Sequence, residues 1–143
     1  MPTHLNPYIH FNGHAREAME FYQQALGGDL RISTFAEGGM PGDPADADKV
    51  MHAQLDLPNG EVLMASDTPA GQPAPAVAGI SMSLSGEDDA ELTRYWEALQ
   101  DGGTVVEPLV EAPWGDKFGI LSDRYGLTSV SYTHLTLATN REV

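Results

Sequence analysis

The chain has 143 residues, a formal net charge of −14 from 7 basic and 21 acidic residues, and no cysteine. So few lysines and arginines argue against a nucleic-acid partner, because phosphate recognition requires a cationic surface. The lack of cysteine excludes disulfides and thiolate chemistry and is typical of a cytoplasmic protein. No apolar stretch approaches the roughly 20 residues that cross a bilayer, so no membrane partner is predicted.

The first half of the chain predicts four strands and one helix. The strands are LNPYIHF, DLRISTF, VMHAQLDL and EVLMASD, short segments with aromatic and apolar residues. The helix follows the first strand and opens at Asn12 or Gly13. The Gly27-Gly28 pair ends it, since glycine accepts the left-handed conformation that closes a helix. Its apolar face has the helical period and consists of Ala18, Phe21, Tyr22, Ala25 and Leu26.

The composition of three connecting segments in this half predicts a loop, a hairpin turn and a linker. Residues 37–48, EGGMPGDPADAD, are rich in Gly, Pro and Asp and predict a mobile, exposed loop. The Asn59-Gly60 pair predicts a hairpin between the third and fourth strands, since both residues accept positive φ. Residues 69–77 contain three prolines without periodicity and predict a linker.

The second half predicts the same elements in the same order. The strands are GISMSLS, TVVEPLV, FGILSD and GLTSVSY, the last two joined by a turn near residues 123–126. Ser85, with Asp88 three residues later, resembles the cap of a helix. The Gly102-Gly103 pair ends this helix. Its inner face consists of Leu92, Tyr95, Trp96 and Leu99.

The two helices carry similar sequences, FYQQALGG from Phe21 and YWEALQDGG from Tyr95, which are 74 positions apart (95 − 21), about half the chain. Each half is therefore a βαβββ module. The predicted fold class is α+β, with two paired βαβββ modules that form a curved mixed sheet around a cleft and place the helices outside. The first module spans residues 4–68 and the second 78–132, in a single domain.

Three motifs occur in this order: PYIHFNGHAREAMEFYQQALGG, KVMHAQLDLPNGEVLMASD and WGDKFGILSDRYG. With their spacing they resemble the vicinal oxygen chelate superfamily, which includes glyoxalase I, bleomycin-resistance proteins and extradiol dioxygenases. The resemblance is closest to its PhnB-like branch, also called demethylubiquinone methyltransferase-like. It implies a small-molecule ligand and a homodimer.

The resemblance also implies a divalent metal held by His and Glu side chains, which acts as a Lewis acid on the substrate. Three of the ligand positions fall near Pro7, Gly79 and Val130, and none of these side chains can bind a metal. The fourth falls on the strand at residues 61–67, whose carboxylates lie only at its two ends. The usual metal site is therefore not expected, and no cofactor is predicted. A metal held by His10 and His52 is the alternative, but it lacks a third ligand.

Seven residues are predicted to bind the ligand: Tyr8, His10, His52, Met64, Ser66, Trp114 and Phe118. Alternation places Tyr8 and His10 on one strand face, and it places His52 opposite Met51, Ala53 and Leu55. A histidine on a strand is more often a hydrogen-bonded structural group, and the functional alternative is a proton carrier or ligand donor.

The other predicted site residues carry alternatives of their own. Met64 and Ser66 share a face. Ser66 with a histidine hints at a nucleophile pair, although no Gly-x-Ser-x-Gly elbow is present. By resemblance Trp114 and Phe118 line the pocket, and the alternative is that Trp114 caps the core. No catalytic residue is assigned.

The C-terminal segment departs from the pattern of the family. After LSDRYGL the chain reads TSVSYTHLTLATNREV, which resembles the translated read-through of a sequencing adapter. Val130, Tyr132 and Leu135 would then fill space meant for other side chains. We predict fraying after Tyr132, with residues 133–143 disordered or non-native.

Three functions remain open at this point. The first is a protein that binds a small molecule in an aromatic cleft without a metal. The second is an enzyme, namely a metal-dependent lyase, isomerase or dioxygenase of the superfamily. The third is a non-catalytic dimeric scaffold.

Overall fold

The computed structural model describes residues 3–39, 44–69, 80–113 and 115–133. The chain divides into two compact units, residues 1–77 and 78–143. Each unit contains a four-stranded mixed sheet and one α-helix. The predicted α+β class and the βαβββ order of both halves are confirmed. Neither helix of the described residues is long and apolar enough to cross a membrane.

The first unit contains β1 (Tyr8–Phe11), α1 (Ala15–Leu26), β2 (Asp29–Thr34), β3 (Val50–Asp56) and β4 (Val62–Asp67). The strand order is β1-β4-β3-β2. β1 runs parallel to β4, and the other neighbours are antiparallel. The helix packs on β2, β3 and β4. The side chains buried in this unit include Ile9, Phe11, Met19, Tyr22, Leu55 and Leu63.

The N-terminus of α1 is held by a residue from β4 rather than by its own sequence. The helix begins at Ala15, two or three residues after the predicted start at Asn12 or Gly13. Its N-cap residue His14 makes no capping bond through its side chain. Asp67 is 3% exposed, and its Oδ1 accepts hydrogen bonds from the backbone N–H groups of Gly13 and Ala15. Its Oδ2 accepts from the N–H of Val50, so one carboxylate joins α1, β3 and β4.

Two local predictions in this unit need correction. The register shifts between Ser33 and Thr34, and Val50 rather than Met51 is buried with Ala53 and Leu55. The irregularity breaks the strict alternation of β3. In the hairpin, Gly60 has a φ of 96°, whereas no non-glycine residue of the described chain has positive φ. The turn therefore needs one left-handed residue instead of two.

The connecting segments are described only in part. Within the predicted loop at residues 37–48, a short 3-10 helix spans Pro44–Asp46. Asp46 is buried there and forms an ion pair with Lys49 at 2.9 Å. Nearly all of the predicted linker lies outside the described residues.

The second unit contains β5 (Ser81–Gly86), α2 (Asp89–Gln100), β6 (Thr104–Glu111), β7 (Lys117–Ser122) and β8 (Thr128–Thr133). The strand order is β5-β8-β7-β6, with β5 parallel to β8. Asp88 rather than Ser85 caps α2, since its side chain accepts from the N–H of Glu91 at 3.1 Å. The turn between β7 and β8 lies where the sequence predicts it, with Asp123 Oδ1 accepting from the N–H of Tyr125.

The last strand turns polar side chains toward the core. On β8, Ser129, Ser131 and Thr133 are buried, whereas Val130 and Tyr132 are half-buried on the alternate face. The hydroxyls of Ser131 and Thr133 have no hydrogen-bond partner within the described part of the chain. This pattern inverts the usual alternation, in which apolar side chains face the core. Thr133, the first residue of the segment predicted to fray, still belongs to β8, and residues 134–143 lie outside the described residues.

Replacing Ser131 by alanine is expected to raise the free energy of unfolding by about 1 kcal/mol, because it removes a buried hydroxyl to which no described residue offers a hydrogen-bond partner. Urea denaturation of the purified variant measures this change as a higher midpoint. Ser83→Ala, on an exposed position of β5, is the control and should leave the midpoint unchanged. A lower midpoint for Ser131→Ala would show that the hydroxyl is bonded.

Candidate functional site

The sheet of the first unit has one face covered by α1 and an opposite face made mainly of polar and aromatic side chains. Alternation along β1 separates the two, since Ile9 and Phe11 are buried whereas Tyr8 and His10 are exposed. We call the opposite face the polar face. It includes the side chains of Tyr8, His10, Arg31, His52, Gln54, Asp56, Met64 and Ser66.

Strand register brings these side chains together. Tyr8 lies opposite Met64, and His10 lies opposite Ser66, across the parallel pair of β1 and β4. On the other side of β4, Met64 lies opposite Gln54. Residues paired in this way share one face of the sheet and are neighbours on it. Three strands therefore contribute to one continuous patch.

The first polar contact of this face joins His10 to Ser66. The distance from His10 Nδ1 to Ser66 Oγ is 3.1 Å, and Ser66 is 8% exposed. This is the spacing of a nucleophile and its base. Such a pair also needs a third group that orients the base, and no carboxylate hydrogen-bonds His10 among the described residues.

The second polar contact begins a longer chain of hydrogen bonds. Tyr8 Oη lies 3.1 Å from His52 Nδ1, and His52 Nε2 lies 3.4 Å from Gln54 Oε1. Gln54 Nε2 donates to Asp56 Oδ1 at 2.9 Å. Arg31 closes the chain with an ion pair of 2.6 Å to Asp56 Oδ2. Five side chains from β1, β2 and β3 thus form one connected series.

Electrostatics at the end of this series keep Asp56 ionised. The hydrogen bond from Gln54, and after it the Arg31 guanidinium, hold the pKa of the Asp56 carboxyl below its ordinary value. An ionised carboxylate can only accept hydrogen bonds. The series therefore ends on a fixed acceptor at neutral pH.

Aromatic rings supply most of the less polar surface beside these groups. The Tyr8 ring centroid lies 5.2 Å from that of His10 and 5.7 Å from that of His52. Tyr8 is 42% exposed, and its hydrogen bond with His52 lies in an exposed position. Met64 lies between Tyr8 and Gln54 in the register and adds a flexible thioether.

The structure places the seven predicted site residues in three groups. Tyr8, His10, His52, Met64 and Ser66 come together on the polar face. Phe118 lies on β7 of the second unit, where its ring makes an edge contact with Tyr132 at 6.4 Å. Trp114 lies outside the described residues. A ligand-binding role for any of them remains a prediction.

Sequence analysis missed three members of the polar face: Arg31, Gln54 and Asp56. Gln54 and Asp56 follow His52 at spacings of two and four, so the alternation of β3 places all three on one side. That signal was present in VMHAQLDL. Arg31 could not be placed in the same way, because its position depends on the pairing of β2 with β3.

The donor atoms of the described residues do not fit the metal site that the resemblance implies. Pro7 and Val130 offer no side-chain donor, and Gly79 lies outside the described residues. Both oxygens of Asp67 already accept backbone hydrogen bonds on the helix side of the sheet. Within the described ranges, no group of three or more His, Cys, Asp or Glu side chains is arranged to hold a metal.

Comparison with known proteins now identifies the family. The sequence profile described as 3-demethylubiquinone-9 3-methyltransferase matches residues 3–130. The chain belongs to this family. The predicted resemblance to PhnB-like proteins is thereby confirmed, and the match ends on β8, within the segment that departs from the pattern.

Solved structures agree with the family assignment. Protein PA1353 from Pseudomonas aeruginosa is 36% identical with a TM-score of 0.82, over 93% of this chain and 98% of that chain. A PhnB protein from Bacillus cereus, whose description also names 3-demethylubiquinone-9 3-methyltransferase, is 27% identical with a TM-score of 0.74, over 92% and 100%. A glyoxylase/bleomycin resistance protein/dioxygenase domain from Frankia sp. EAN1pec, at 14% identity and a TM-score of 0.66 over 99% and 100%, shares the fold of the superfamily.

Proposed function

We propose that this family member binds a small molecule on the polar face, without the metal site usual in the superfamily. The observation that carries the proposal is the presence of two hydrogen-bonded couples side by side, Tyr8 with His52 and His10 with Ser66. Ligand sites combine a few placed polar groups with apolar or aromatic walls. The rings and Met64 supply such walls next to the polar atoms.

The polar groups of this face are also held in place before a ligand arrives. Tyr8 and both histidines contact partners from other strands, so little side-chain freedom is lost on binding. The metal-free part of the proposal is supported by donor chemistry, since Asp67 is committed to backbone groups. The homodimer and the cytoplasmic location implied earlier remain predictions.

Replacing His52 is expected to lower the affinity of the protein for a ligand found by screening. The screen measures thermal shifts of EDTA-treated protein with a small-molecule library, and calorimetry then measures Kd for each ligand found. His52→Leu and His10→Leu should each raise Kd about tenfold, which corresponds to the loss of one hydrogen bond.

The matched control is His4→Leu, because His4 is exposed and precedes β1. It should leave Kd unchanged. Equal effects of His4→Leu and His52→Leu would contradict binding on the polar face. Elemental analysis of untagged protein, with binding repeated after addition of divalent metals, tests the second part. Stoichiometric metal, or binding that appears only with metal, would favour the metal-dependent enzyme.

A further inference from the structure

We propose that Gln54 is a positioning residue that sets the tautomer of His52 and thereby makes the Tyr8 oxygen a hydrogen-bond acceptor toward the ligand. The inference follows from the direction in which the hydrogen bonds of the polar face must run. The preference for one ligand class rests on the proposed function, whereas the tautomer of His52 is a property of the ligand-free protein.

The direction is set at the Asp56 end. Asp56 accepts from Arg31 and from Gln54, and as a carboxylate it has no proton to donate. Gln54 must therefore turn its amide nitrogen toward Asp56 and its oxygen toward His52. The cross-strand ion pair with Arg31 holds the carboxylate in this orientation.

The next two links follow from the first. Gln54 Oε1 can only accept, so the contact of 3.4 Å with His52 requires a proton on Nε2. A neutral histidine then has its lone pair on Nδ1. The contact of 3.1 Å with Tyr8 is consequently a hydrogen bond that the phenol donates.

This arrangement commits the single proton of the Tyr8 hydroxyl to His52. The remaining lone pairs of the exposed oxygen can accept a hydrogen bond from a ligand. The preferred ligand therefore presents an N–H or O–H group, as amines and amides do, rather than a carboxylate. The net charge of −14 favours a cationic donor in the same sense.

The test compares two substitutions of similar length that differ in hydrogen-bond chemistry. Glutamate at position 54 can only accept, so Gln54→Glu should keep the Nε2–H tautomer of His52. Lysine can only donate, so Gln54→Lys should reverse it to Nδ1–H and free the Tyr8 proton for the ligand. Long-range proton–nitrogen NMR spectra at about pH 8.5, where an ordinary histidine is neutral, report the tautomer directly.

His10 serves as the internal reference, because its Nδ1 contact is to Ser66 and not to the series. Asp29→Asn is the charge control, since Asp29 lies opposite Asp56 in the register without joining the series. Reversal of His52 in Gln54→Lys, with His10 unchanged, supports the proposal. An Nε2–H tautomer retained in both Gln54→Lys and Gln54→Arg overturns it.

The ligand class is tested with two matched probes, benzylamine and benzoate, titrated against the His52 signals. Benzylamine should perturb them at about tenfold lower concentration than benzoate in the wild-type protein, and Gln54→Lys should reverse the order. The proposed ligand class is contradicted if both probes perturb the His52 signals at the same concentration, or if benzylamine does not perturb them. The tautomer result is read without ligand, so it stands or falls separately from the binding screen.

Discussion

Replacing Asp67 by alanine is expected to lower the free energy of unfolding by about 3 kcal/mol or more. The side chain is 3% exposed and accepts three backbone hydrogen bonds, from Gly13, Ala15 and Val50. A hydrogen bond to a charged group contributes about 1.5–3 kcal/mol, and a buried donor left without a partner adds a penalty of similar size. Urea denaturation should show a lower midpoint with an unchanged slope.

Asp67→Asn separates the acceptor role from the shape of the side chain. The amide oxygen of asparagine can accept either from the N–H groups at the helix start or from the N–H of Val50. In either orientation the NH₂ group faces the remaining backbone donor and cannot accept from it. We expect a loss between those of the wild type and the alanine variant. Asp29→Ala, at an exposed position on β2, is the control. A loss below about 1 kcal/mol for Asp67→Ala would contradict the role of this carboxylate as a shared cap.

Replacing Gly119 by alanine is expected to destabilise the second unit by about 2 kcal/mol or more. A Cβ atom at this position would lie 2.8 Å from Trp96 Cη2 and 2.9 Å from the Cα of Leu109. Trp96 is 6% exposed and lies on α2, so the ring has little room to move away. Overpacking of this kind forces side chains from their rotamers and shifts the backbone.

A double-mutant cycle identifies the ring as the obstacle. Trp96→Leu is destabilising alone, because it leaves a cavity. Gly119→Ala should then cost less in the Trp96→Leu background than in the wild type. Gly86→Ala is the control, since its added Cβ would meet Leu92 Cδ1 at an ordinary 3.6 Å. Equal costs of Gly119→Ala in both backgrounds would place the strain at the Leu109 backbone instead.

The repeat and the short periodicities predicted most of the fold. The aromatic pairs of the two helices marked the half-chain unit, and the Gly27-Gly28 pair marked the end of α1, where Gly27 has a φ of 81°. Alternation placed Tyr8 and His10 on one face of β1, and it placed Met64 and Ser66 on one face of β4. These features depend on residues that are close in sequence, which is why a single chain reveals them.

The features that escaped prediction depend on long-range contacts. The cap of α1 comes from Asp67, which is 52 positions from Ala15. The register shift between Ser33 and Thr34 redirects Val50 and Met51, and it arises from pairing across strands. Arg31 joins the polar face only because β2 lies beside β3. No local pattern places β2 beside β3 or Asp67 at the start of α1, in contrast to the hairpins, whose turn residues are local signals.

The central claim is that a small molecule binds on the polar face without a metal. Histidine-selective NMR during titration of a screened ligand into EDTA-treated protein tests it most directly. We predict saturable shifts of the His10 and His52 signals with one common Kd, and no shift of His4. Shifts that leave both strand histidines unmoved, or that require added divalent metal, would contradict it.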